Sequence, residues 1–423
     1  VLGGVVGSDL CIRVREQTAQ IVAHPGLVET GGPRRDLTDL PLMTVDGQST
    51  LEYDDALSIQ ALEDGYLVGV HIMDVAHHVK KGDVIDREAL SRGSSIYMPD
   101  HRISMLPHLL AEGVCSLRAG EERPAISTFI KVGPFGTIVS YDICASVIRV
   151  RHQRTYYDVN LAADDDADIV NLRFIAEKFR EFRLDQGAVQ ITLPDVNVWI
   201  DENGEVNLSR LNRESPARLL VSELMIMANW MMARFLRDND LPAIFRSQPE
   251  PKERLYKRDQ GTLFQNWMQR RRLNRFVLGT AAERHSGLGL DAYVTATSPI
   301  RKYFDLITQR QIRAVLGLEA PYTKDDISGL MQQLEQPMAA VSRVQHHRHY
   351  YWMLRYLEGR VGEQTVATVL QKRRNGYQVL LTEYMVECDM PVPSGRSLKP
   401  EEVIEVTIQN VNARKGLLSV FTV

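Results

Sequence analysis

The sequence predicts an α+β body, in which a mixed sheet packs with helices, followed by a small five-stranded barrel of the OB type. Alternating and apolar strand-like runs dominate the first part of the chain, as at residues 55–62. A strongly apolar helical stretch follows at residues 219–236, and strands first with buried helices later are typical of α+β folds. Short strand-like segments return after residue 359, and five of them in about 65 residues fit an OB barrel.

These patterns divide the chain into three parts. Residues 1–35 stay unassigned, as a separate segment or the remnant of another module, although residues 11–14 have strand character and residues 31–35 are typical of a linker. Residues 36–358 form the predicted body, and residues 359–423 form the predicted barrel.

Individual elements follow from local signals. A hairpin is predicted at residues 55–62 and 66–75, because Gly65 lies in the turn between the two runs. Pro299 is predicted to open a helix that reaches residue 315, since proline is favoured in a first turn. The other predicted elements of the body are helices at 83–91, 165–186, 219–236 and 323–359 and strands at 125–131, 138–150 and 189–200. The predicted strands of the barrel are 364–370, 377–381, 386–392, 403–411 and 417–421.

Composition is that of an ordinary globular protein, with 44% hydrophobic and 25% charged residues among 423. A net charge of −4 means that any site for a polyanion must be a local basic surface. The four cysteines are widely spread without metal-ligand spacing, so we expect reduced thiols and a cytoplasmic protein. No run approaches the roughly 20 apolar residues of a membrane span. We therefore expect no membrane contact, and a monomer, because no signal for an oligomer is present.

Four carboxylates fall close together, at Asp46, Glu52, Asp54 and Asp55. Acidic side chains crowded in this way need either open water or a cation between them. Hard oxygen donors suit Mg²⁺, with Mn²⁺ as the alternative. Taken alone, the cluster is more often a solvated acidic loop, and the rest of the chain has to decide between the two interpretations.

The cluster belongs to an ordered series of sequence blocks. The series opens with Asp36-Leu37-Thr38-Asp39-Leu40-Pro41 and Asp54-Asp55-Ala56, and continues with Val70-His71-Ile72-Met73-Asp74-Val75-Ala76, Arg92-Gly93-Ser94-Ser95-Ile96-Tyr97-Met98-Pro99, Glu223-Leu224-Met225-Ile226-Met227-Ala228-Asn229 and Thr297-Ser298-Pro299-Ile300-Arg301-Lys302-Tyr303. In this order the blocks resemble the RNB catalytic domain of the ribonuclease II and ribonuclease R exoribonucleases. The terminal barrel resembles the S1 domain of that family, so the resemblance covers about residues 36–423 and favours a metal site over an acidic loop.

The resemblance implies a processive 3′→5′ exoribonuclease that hydrolyses single-stranded RNA to 5′-mononucleotides with a divalent metal. Such chemistry profits from cations that neutralise the phosphate and acidify the attacking water, and two metals about 3.5–4 Å apart could clamp both reacting oxygens. Asp46 and Asp55 match the positions expected to hold the principal metal. Asp54 matches the position most tied to chemistry, through the second metal or the nucleophilic water.

Glu52 departs from the family, which usually has Asp there. The extra methylene is expected to shift the second metal, because Mg²⁺ demands near-ideal octahedral geometry. We therefore expect reduced or Mn²⁺-preferring activity rather than loss of activity.

Other site residues are carried over from the matching blocks. Arg301 is the expected cationic partner of the scissile phosphate, and Lys302 is a weaker candidate for a neighbouring phosphate. Tyr97 matches the tyrosine that stacks near the 3′-terminal nucleotide, and Tyr156 resembles another RNA-contacting tyrosine. The phenylalanine that faces Tyr97 in the family appears as Ile191, which puts the final product length in doubt.

Three further features bear on RNA binding. Glu223 lies on the apolar helix and is either a structural hydrogen-bond partner or a contact to the terminal ribose. Lys372, Arg373 and Arg374 precede the turn of a barrel hairpin, where S1-like folds meet RNA. The histidine-rich run at residues 346–349 lacks carboxylate partners, which argues against a metal site there.

Two other functions are weighed against the exoribonuclease. A catalytically inactive RNB-fold RNA-binding protein would be expected to lose the carboxylates, of which three match here and one is replaced by Glu52. A metal-dependent phosphatase for small substrates does not explain the terminal barrel. The paired cold-shock domains usual before the RNB domain are not in this stretch, so we expect a more relaxed exclusion of structured RNA.

Overall fold

The computed structural model describes residues 8–24, 34–393 and 396–422. Its strands are β1 (Arg35–Asp46), β2 (Asp55–Leu62), β3 (Gly65–Met73), β4 (Ile96–Tyr97), β5 (Arg102–Ile103), β6 (Glu122–Val132), β7 (Ile138–Thr155), β8 (Asp195–Ile200), β9 (Val206–Leu211), β10 (Phe245–Ser247), β11 (Val277–Gly279), β12 (Gln364–Arg373), β13 (Gly376–Leu381), β14 (Val386–Met390), β15 (Val403–Asn412) and β16 (Leu417–Thr422). Its helices are α1 (Ser8–Ala23), α2 (Val75–His78), α3 (Val84–Arg92), α4 (Tyr156–Leu161), α5 (Ala167–Asp185), α6 (Pro216–Asp238), α7 (Leu263–Arg272), α8 (Tyr303–Val315) and α9 (Lys324–Glu358), with a π-helical turn at Leu110–Val114.

The sheet of the body closes on itself as a five-stranded barrel in the order β1-β2-β3-β6-β7. Neighbouring strands run antiparallel, except that β1 pairs with β7 in parallel, so the sheet is mixed as predicted. The predicted hairpin is confirmed as β2 and β3, with Gly65 at a φ of 140° in the turn. Closure leaves no free sheet edge and brings the ends of distant segments to one rim.

Helix α6 forms the centre of the body. It begins with Pro216 in its first turn and buries Leu224, Met227 and Met231 against α5 and the outer face of the barrel. By length and hydropathy α6 meets the criteria for a membrane span, contrary to the sequence expectation, but 67% of its most apolar window is buried inside the molecule. A mostly buried helix of this kind is what the core of a globular domain requires.

Three local predictions are corrected by the structure. Residues 11–14 lie inside helix α1 rather than a strand, because the helix-forming residues that follow decide the local conformation. The strand predicted at 189–200 is limited to β8. Helix α8 begins at Tyr303 instead of Pro299, since the backbone of residues 298–302 is held by hydrogen bonds to distant segments. Of the predicted linker, residues 31–33 lie outside the described residues.

The second barrel is closed in the order β12-β13-β14-β16-β15, and its five strands agree with the predicted ones. Its core continues into the body, because Met353, Leu354 and Leu357 of α9 and Val196 and Val198 of β8 are buried in the same hydrophobic cluster. The barrel is therefore packed against the body over a shared apolar interface.

Candidate active site at the rim of the first barrel

Three of the four clustered carboxylates arise from strand ends at one rim of the first barrel. Asp46 is the last residue of β1, and Asp55 is the first residue of β2. Asp54 directly precedes β2, and its carbonyl accepts a hydrogen bond from Met73 at the end of β3. Asp46 is paired with Thr155 at the end of β7, so the start of α4 reaches the same rim. The closed barrel thus fixes the backbone from which these side chains project.

Asp54 is the best-anchored of the group, with only 3% of its surface exposed. Its Oδ1 accepts a hydrogen bond from the Ile300 backbone N–H at 3.0 Å, and its Oδ2 accepts one from Arg301 Nε at 2.9 Å. Burial nevertheless raises the pKa of Asp54 to about 6, against the opposing effect of Arg301. A buried carboxylate with one cationic partner therefore still favours additional positive charge.

Among the described residues, Asp46 and Asp55 have no ion-pair partner of this kind. Burial, together with the charge of Asp54, raises the pKa of Asp46 to about 7. Burial and the charges of Asp46 and Asp54 raise the pKa of Asp55 well above its ordinary range. Oδ2 of Asp46 is buried and has no hydrogen-bond partner among the described residues. The three carboxylates destabilise one another's charged forms, and a bound cation would remove that repulsion.

This donor set fits a hard divalent cation. Three carboxylates at one rim and an unsatisfied buried oxygen are what Mg²⁺ or Mn²⁺ coordination uses. Within the described ranges, no group of three potential ligands already converges at coordination distance.

Glu52 accepts hydrogen bonds from two hydroxyl groups. Its Oε2 accepts a hydrogen bond from the Tyr97 hydroxyl at 2.6 Å, and its Oε1 accepts one from Ser104 Oγ at 3.1 Å. Arg102 Nη1 lies 3.8 Å from Oε1. Neither Ser104 nor Arg102 was singled out from the sequence, and nothing in their local pattern distinguishes them. The metal-ligand role of Glu52 stays a prediction.

Arg301 lies at the rim, in the loop before α8. Its backbone carbonyl accepts hydrogen bonds from the Ser95 N–H at 2.9 Å and from Ser94 Oγ at 2.8 Å. On the other side, Asp305 accepts a hydrogen bond from the Ser298 N–H at 3.0 Å and closes the turn. Asp305 was not anticipated, although its position in the first turn of a helix is favourable for this role.

A family model named RNB domain matches residues 34–317. The chain belongs to the RNB family. It is 30% identical over 394 residues to an uncharacterized ribonuclease of Synechocystis sp., covering 90% of this chain and 59% of that protein. It is 31% identical over 361 residues to Ribonuclease R of Thermotoga maritima, covering 73% of this chain and 50% of that protein. The chain thus spans about half the length of these curated relatives.

Solved structures agree with this assignment at the level of the fold. The apo form of Mycoplasma genitalium RNase R superimposes with a TM-score of 0.83 at 19% identity, covering 98% of this chain and 78% of that chain. Yeast Ssd1, a pseudonuclease, superimposes with a TM-score of 0.68 at 18% identity, covering 84% of this chain and 50% of that chain. The RNB fold therefore occurs both in RNase R and in a pseudonuclease.

Two tyrosines of the RNB domain flank the carboxylates. Tyr97 is 43% exposed, and its pKa is raised by burial and by the hydrogen bond to Glu52, with smaller effects from the charges of Arg301 and Asp54. Tyr156 is half-buried at the start of α4. Burial raises its pKa to about 12, and the charges of Asp46 and Asp55 contribute to this increase. Both phenols therefore lie at the same rim as the carboxylates, as expected if they contact a ligand there.

Arg218 adds a contact that the sequence did not reveal. Its guanidinium carbon lies 4.5 Å from the centre of the Tyr156 ring. A cation over one face stabilises the ring in place. This face of Tyr156 is consequently occupied by a protein side chain.

Glu223 is held by an ion pair inside the RNB body. Arg183 Nε donates to its Oε2 at 2.9 Å, a second nitrogen of Arg183 donates to Oε1, and both side chains are about 95% buried. Arg183 also donates to the Leu288 carbonyl, which ties α5 to the loop before Asp291. Of the two roles expected for Glu223, the geometry favours the structural one, and an RNA contact stays a prediction.

Ile191 and Lys302 were also expected to bind RNA, and they lie in different parts of the structure. Ile191 lines a cavity of about 880 Å³ between the body and the second barrel, together with Trp267 and Arg373. Tyr97 is not among the residues that line this cavity, so the opposed arrangement of Ile191 and Tyr97 stays a prediction. Lys302, by contrast, lies at the rim as the residue that caps α8.

The basic run of the second barrel is exposed. Lys372, Arg373 and Arg374 lie at the tip of the β12–β13 hairpin, and the Arg373 guanidinium is 3.7 Å from Asp389. Exposed guanidinium and ammonium groups on an OB-type barrel are suited to phosphate contacts. Their contact with RNA stays a prediction.

Proposed function

We propose that this protein is a metal-dependent, processive 3′→5′ exoribonuclease that degrades single-stranded RNA to 5′-mononucleotides. The observation that carries the proposal is the set of three mutually repelling carboxylates beside a paired arginine at the rim of an RNB barrel. Relatives named Ribonuclease R and Exoribonuclease 2 support the reaction class. Magnesium is the proposed ion and manganese the alternative.

In this proposal Asp46, Asp54 and Asp55 hold the metal. When bound, the metal supplies neutralising charge for the phosphate and lowers the pKa of a water molecule. The deep burial of Asp54 restricts the carboxylate to one orientation. The hydrogen bonds from Ile300 and Arg301 add to this restriction, because they occupy one oxygen of Asp54 each.

Arg301 binds the scissile phosphate in this proposal. Within the described part of the chain, its side chain hydrogen-bonds only through Nε, to Asp54, and it is 40% exposed. The two Nη groups can therefore donate to phosphate oxygens in a forked geometry. Because Asp54 orients the guanidinium, the phosphate would be held directly beside the carboxylates.

The RNA strand is held by aromatic and basic groups. The exposed face of Tyr97 is proposed to stack on the 3′-terminal base, with Tyr156 and Lys302 contacting neighbouring groups at the rim. Lys372, Arg373 and Arg374 would bind the backbone of the strand farther from its 3′ end. Penetration into structured RNA belongs to the same proposal and is tested with duplexes that carry a 3′ overhang.

The experiment compares oligo(A) labelled at either end, incubated with Mg²⁺, with Mn²⁺ or with EDTA. We expect immediate release of labelled mononucleotide from the 3′ label, stepwise shortening of the 5′-labelled strand, and no reaction in EDTA. Asp54→Asn should reduce the rate by at least about 100-fold while the affinity for RNA stays within a few-fold, because only the reacting charge changes. Asp165→Asn, at an exposed aspartate outside the rim, is the matched control.

A catalytically inactive RNA-binding protein is the second candidate, and the fold shared with the pseudonuclease Ssd1 favours it. Binding of oligo(A) without cleavage in either metal, by the wild type as well as by Asp54→Asn, would establish this candidate and overturn the first.

We also propose that the protein acts as a monomer in the cytoplasm. All four cysteines are unpaired within the described residues, and Cys115, Cys144 and Cys388 are buried, which suits a reducing compartment. Light scattering of the purified protein and fractionation of cells that express it test the two parts separately.

A further inference from the structure

Glu52 has a set of contacts unlike those of the three aspartates beside it. It is 93% buried, with 7% of its surface exposed, and each of its carboxylate oxygens accepts a hydrogen bond from a hydroxyl group. The donors are Tyr97 on β4 and Ser104 directly after β5. These two strands pair as a short hairpin, so Glu52 joins both arms of that hairpin to the loop that carries the carboxylates.

Tyr97 needs such an anchor. The β4–β5 hairpin has two residues in each strand, and Tyr97 is 43% exposed at its outer end. A ring this exposed on so short a strand is not fixed by packing alone. The 2.6 Å bond from its hydroxyl to Oε2 of Glu52 therefore fixes the direction of the ring.

Side-chain length decides whether this bond can form. Aspartate is shorter than glutamate by one carbon–carbon bond, about 1.5 Å. Moving the acceptor back by that amount would stretch a 2.6 Å bond to about 4 Å, beyond hydrogen-bonding range. The glutamate found here reaches Tyr97, whereas an aspartate on the same backbone would leave the phenol without this partner.

We propose that Glu52 is a positioning residue for Tyr97, and that it fixes the tyrosine ring as the surface on which the 3′-terminal base of single-stranded RNA stacks. The inference rests on the proposed function for the identity of the ligand. It assigns to Glu52 a role in holding the strand end rather than in metal coordination.

Two substitutions separate these roles. Glu52→Gln keeps an oxygen that accepts from the Tyr97 hydroxyl, but removes the charge that a metal ligand needs. Glu52→Asp keeps the charge but loses the reach. Tyr97→Phe removes the hydroxyl and keeps the ring, so it should reproduce the effect of Glu52→Asp. Thermal unfolding of all three variants checks that they are folded.

Binding is measured in EDTA, so that metal coordination plays no part. The probe is a short oligo(A) with 2-aminopurine as its 3′-terminal base, whose fluorescence is quenched by stacking. We expect wild type and Glu52→Gln to quench equally and to bind with the same Kd within about twofold. Glu52→Asp and Tyr97→Phe should lose most of the quenching and bind about three- to tenfold more weakly, since one stacked base is affected. The double variant with Glu52→Asp and Tyr97→Phe should show the same quenching and the same Kd as either single variant.

The lengths of final products give a second readout in Mg²⁺. Wild type and Glu52→Gln should stop at the same length, whereas Glu52→Asp and Tyr97→Phe should release longer end products. The inference is overturned if Glu52→Asp shows the same fluorescence quenching and the same final product length as the wild type. It is also overturned if Glu52→Gln loses turnover while Glu52→Asp keeps it, which is the result expected for a metal ligand. Failure of the wild type to bind the probe at all would instead overturn the proposed function.

Discussion

Arg301 lies between a buried carboxylate and solvent, and its geometry is specific to arginine. Its Nε is used by Asp54 at 2.9 Å, which leaves the forked end of the guanidinium directed at the rim. A lysine has one terminal nitrogen and cannot serve Asp54 and a phosphate in the same fixed arrangement.

We therefore expect Arg301→Lys to lower kcat by about 100-fold, the usual loss when one donor to a developing charge is removed, with a change in Kd for RNA below tenfold. Single-turnover degradation of 3′-labelled oligo(A) measures the first quantity, and filter binding in EDTA measures the second. Arg87→Lys, at an exposed position on α3, controls for the substitution itself. Turnover close to wild type in Arg301→Lys would mean that its phosphate contact is dispensable.

At the scale of elements, the end of α3 supports the segment that holds Arg301. Gly93 ends the helix at a φ of 71°, and its carbonyl accepts a hydrogen bond from the Tyr303 N–H at 2.9 Å. A Cβ at this position would lie 3.2 Å from both Pro337 Cβ and Met338 Sδ of α9. The backbone conformation and the close approach of α9 both require glycine here.

Gly93→Ala is accordingly expected to lower the free energy of unfolding by about 1–3 kcal/mol, the cost of a side chain in a sparsely populated backbone region. Gly329→Ala is the matched control, because Gly329 lies in α9 with open space around it and alanine favours the helix by roughly 0.5–1 kcal/mol. Urea denaturation of both variants gives the two values. Equal free energies of unfolding for the two variants would show that a Cβ at residue 93 is accommodated by a small movement of α9.

For the whole molecule, buried histidines set a dependence of stability on pH. Burial lowers the pKa of His71 and His78 to about 3 and that of His77 and His285 to about 4, against 6.5 for an exposed imidazole. Below pH 6.5 these histidines bind protons in the unfolded chain, whereas in the folded protein they stay neutral until the pH approaches their lowered pKa values. Stability from these groups is therefore fully present above pH 6.5 and is lost as the pH falls toward the folded values.

Each such histidine contributes a slope of up to about 1.4 kcal/mol per pH unit between pH 6 and 4. The raised pKa of Asp54 acts in the opposite direction below pH 6, so the informative quantity is the difference between variants. Urea denaturation in EDTA at several pH values should show a shallower loss of stability in His71→Gln than in the wild type. Identical slopes would mean that His71 is not held neutral between Ser58 and Ser127.

Much of the fold and part of the site could be predicted from local sequence. The β2–β3 hairpin, helices α3, α5 and α6, and the five strands of the second barrel follow from periodicity and turn residues that act over short distances. The nearness of Asp46, Asp54 and Asp55 also follows, because they are close in the chain. The ordered family blocks added a distant arginine, Arg301, as a partner of the scissile phosphate, but not its hydrogen bond to Asp54.

The tertiary structure alone decided the features that join distant segments. Closure of the first barrel depends on the parallel pairing of β1 with β7, and Arg301 meets Asp54 across 247 residues. The start of α8 was misplaced because Ile300 donates its N–H to Asp54 rather than to a helical turn. Glu52 is a predicted fourth metal ligand, and only the structure shows that its carboxylate accepts a hydrogen bond from Tyr97. The sequence determined which charges lie near one another, whereas packing decided which partner each charge found, because a buried carboxylate takes the nearest donor in space regardless of its distance along the chain.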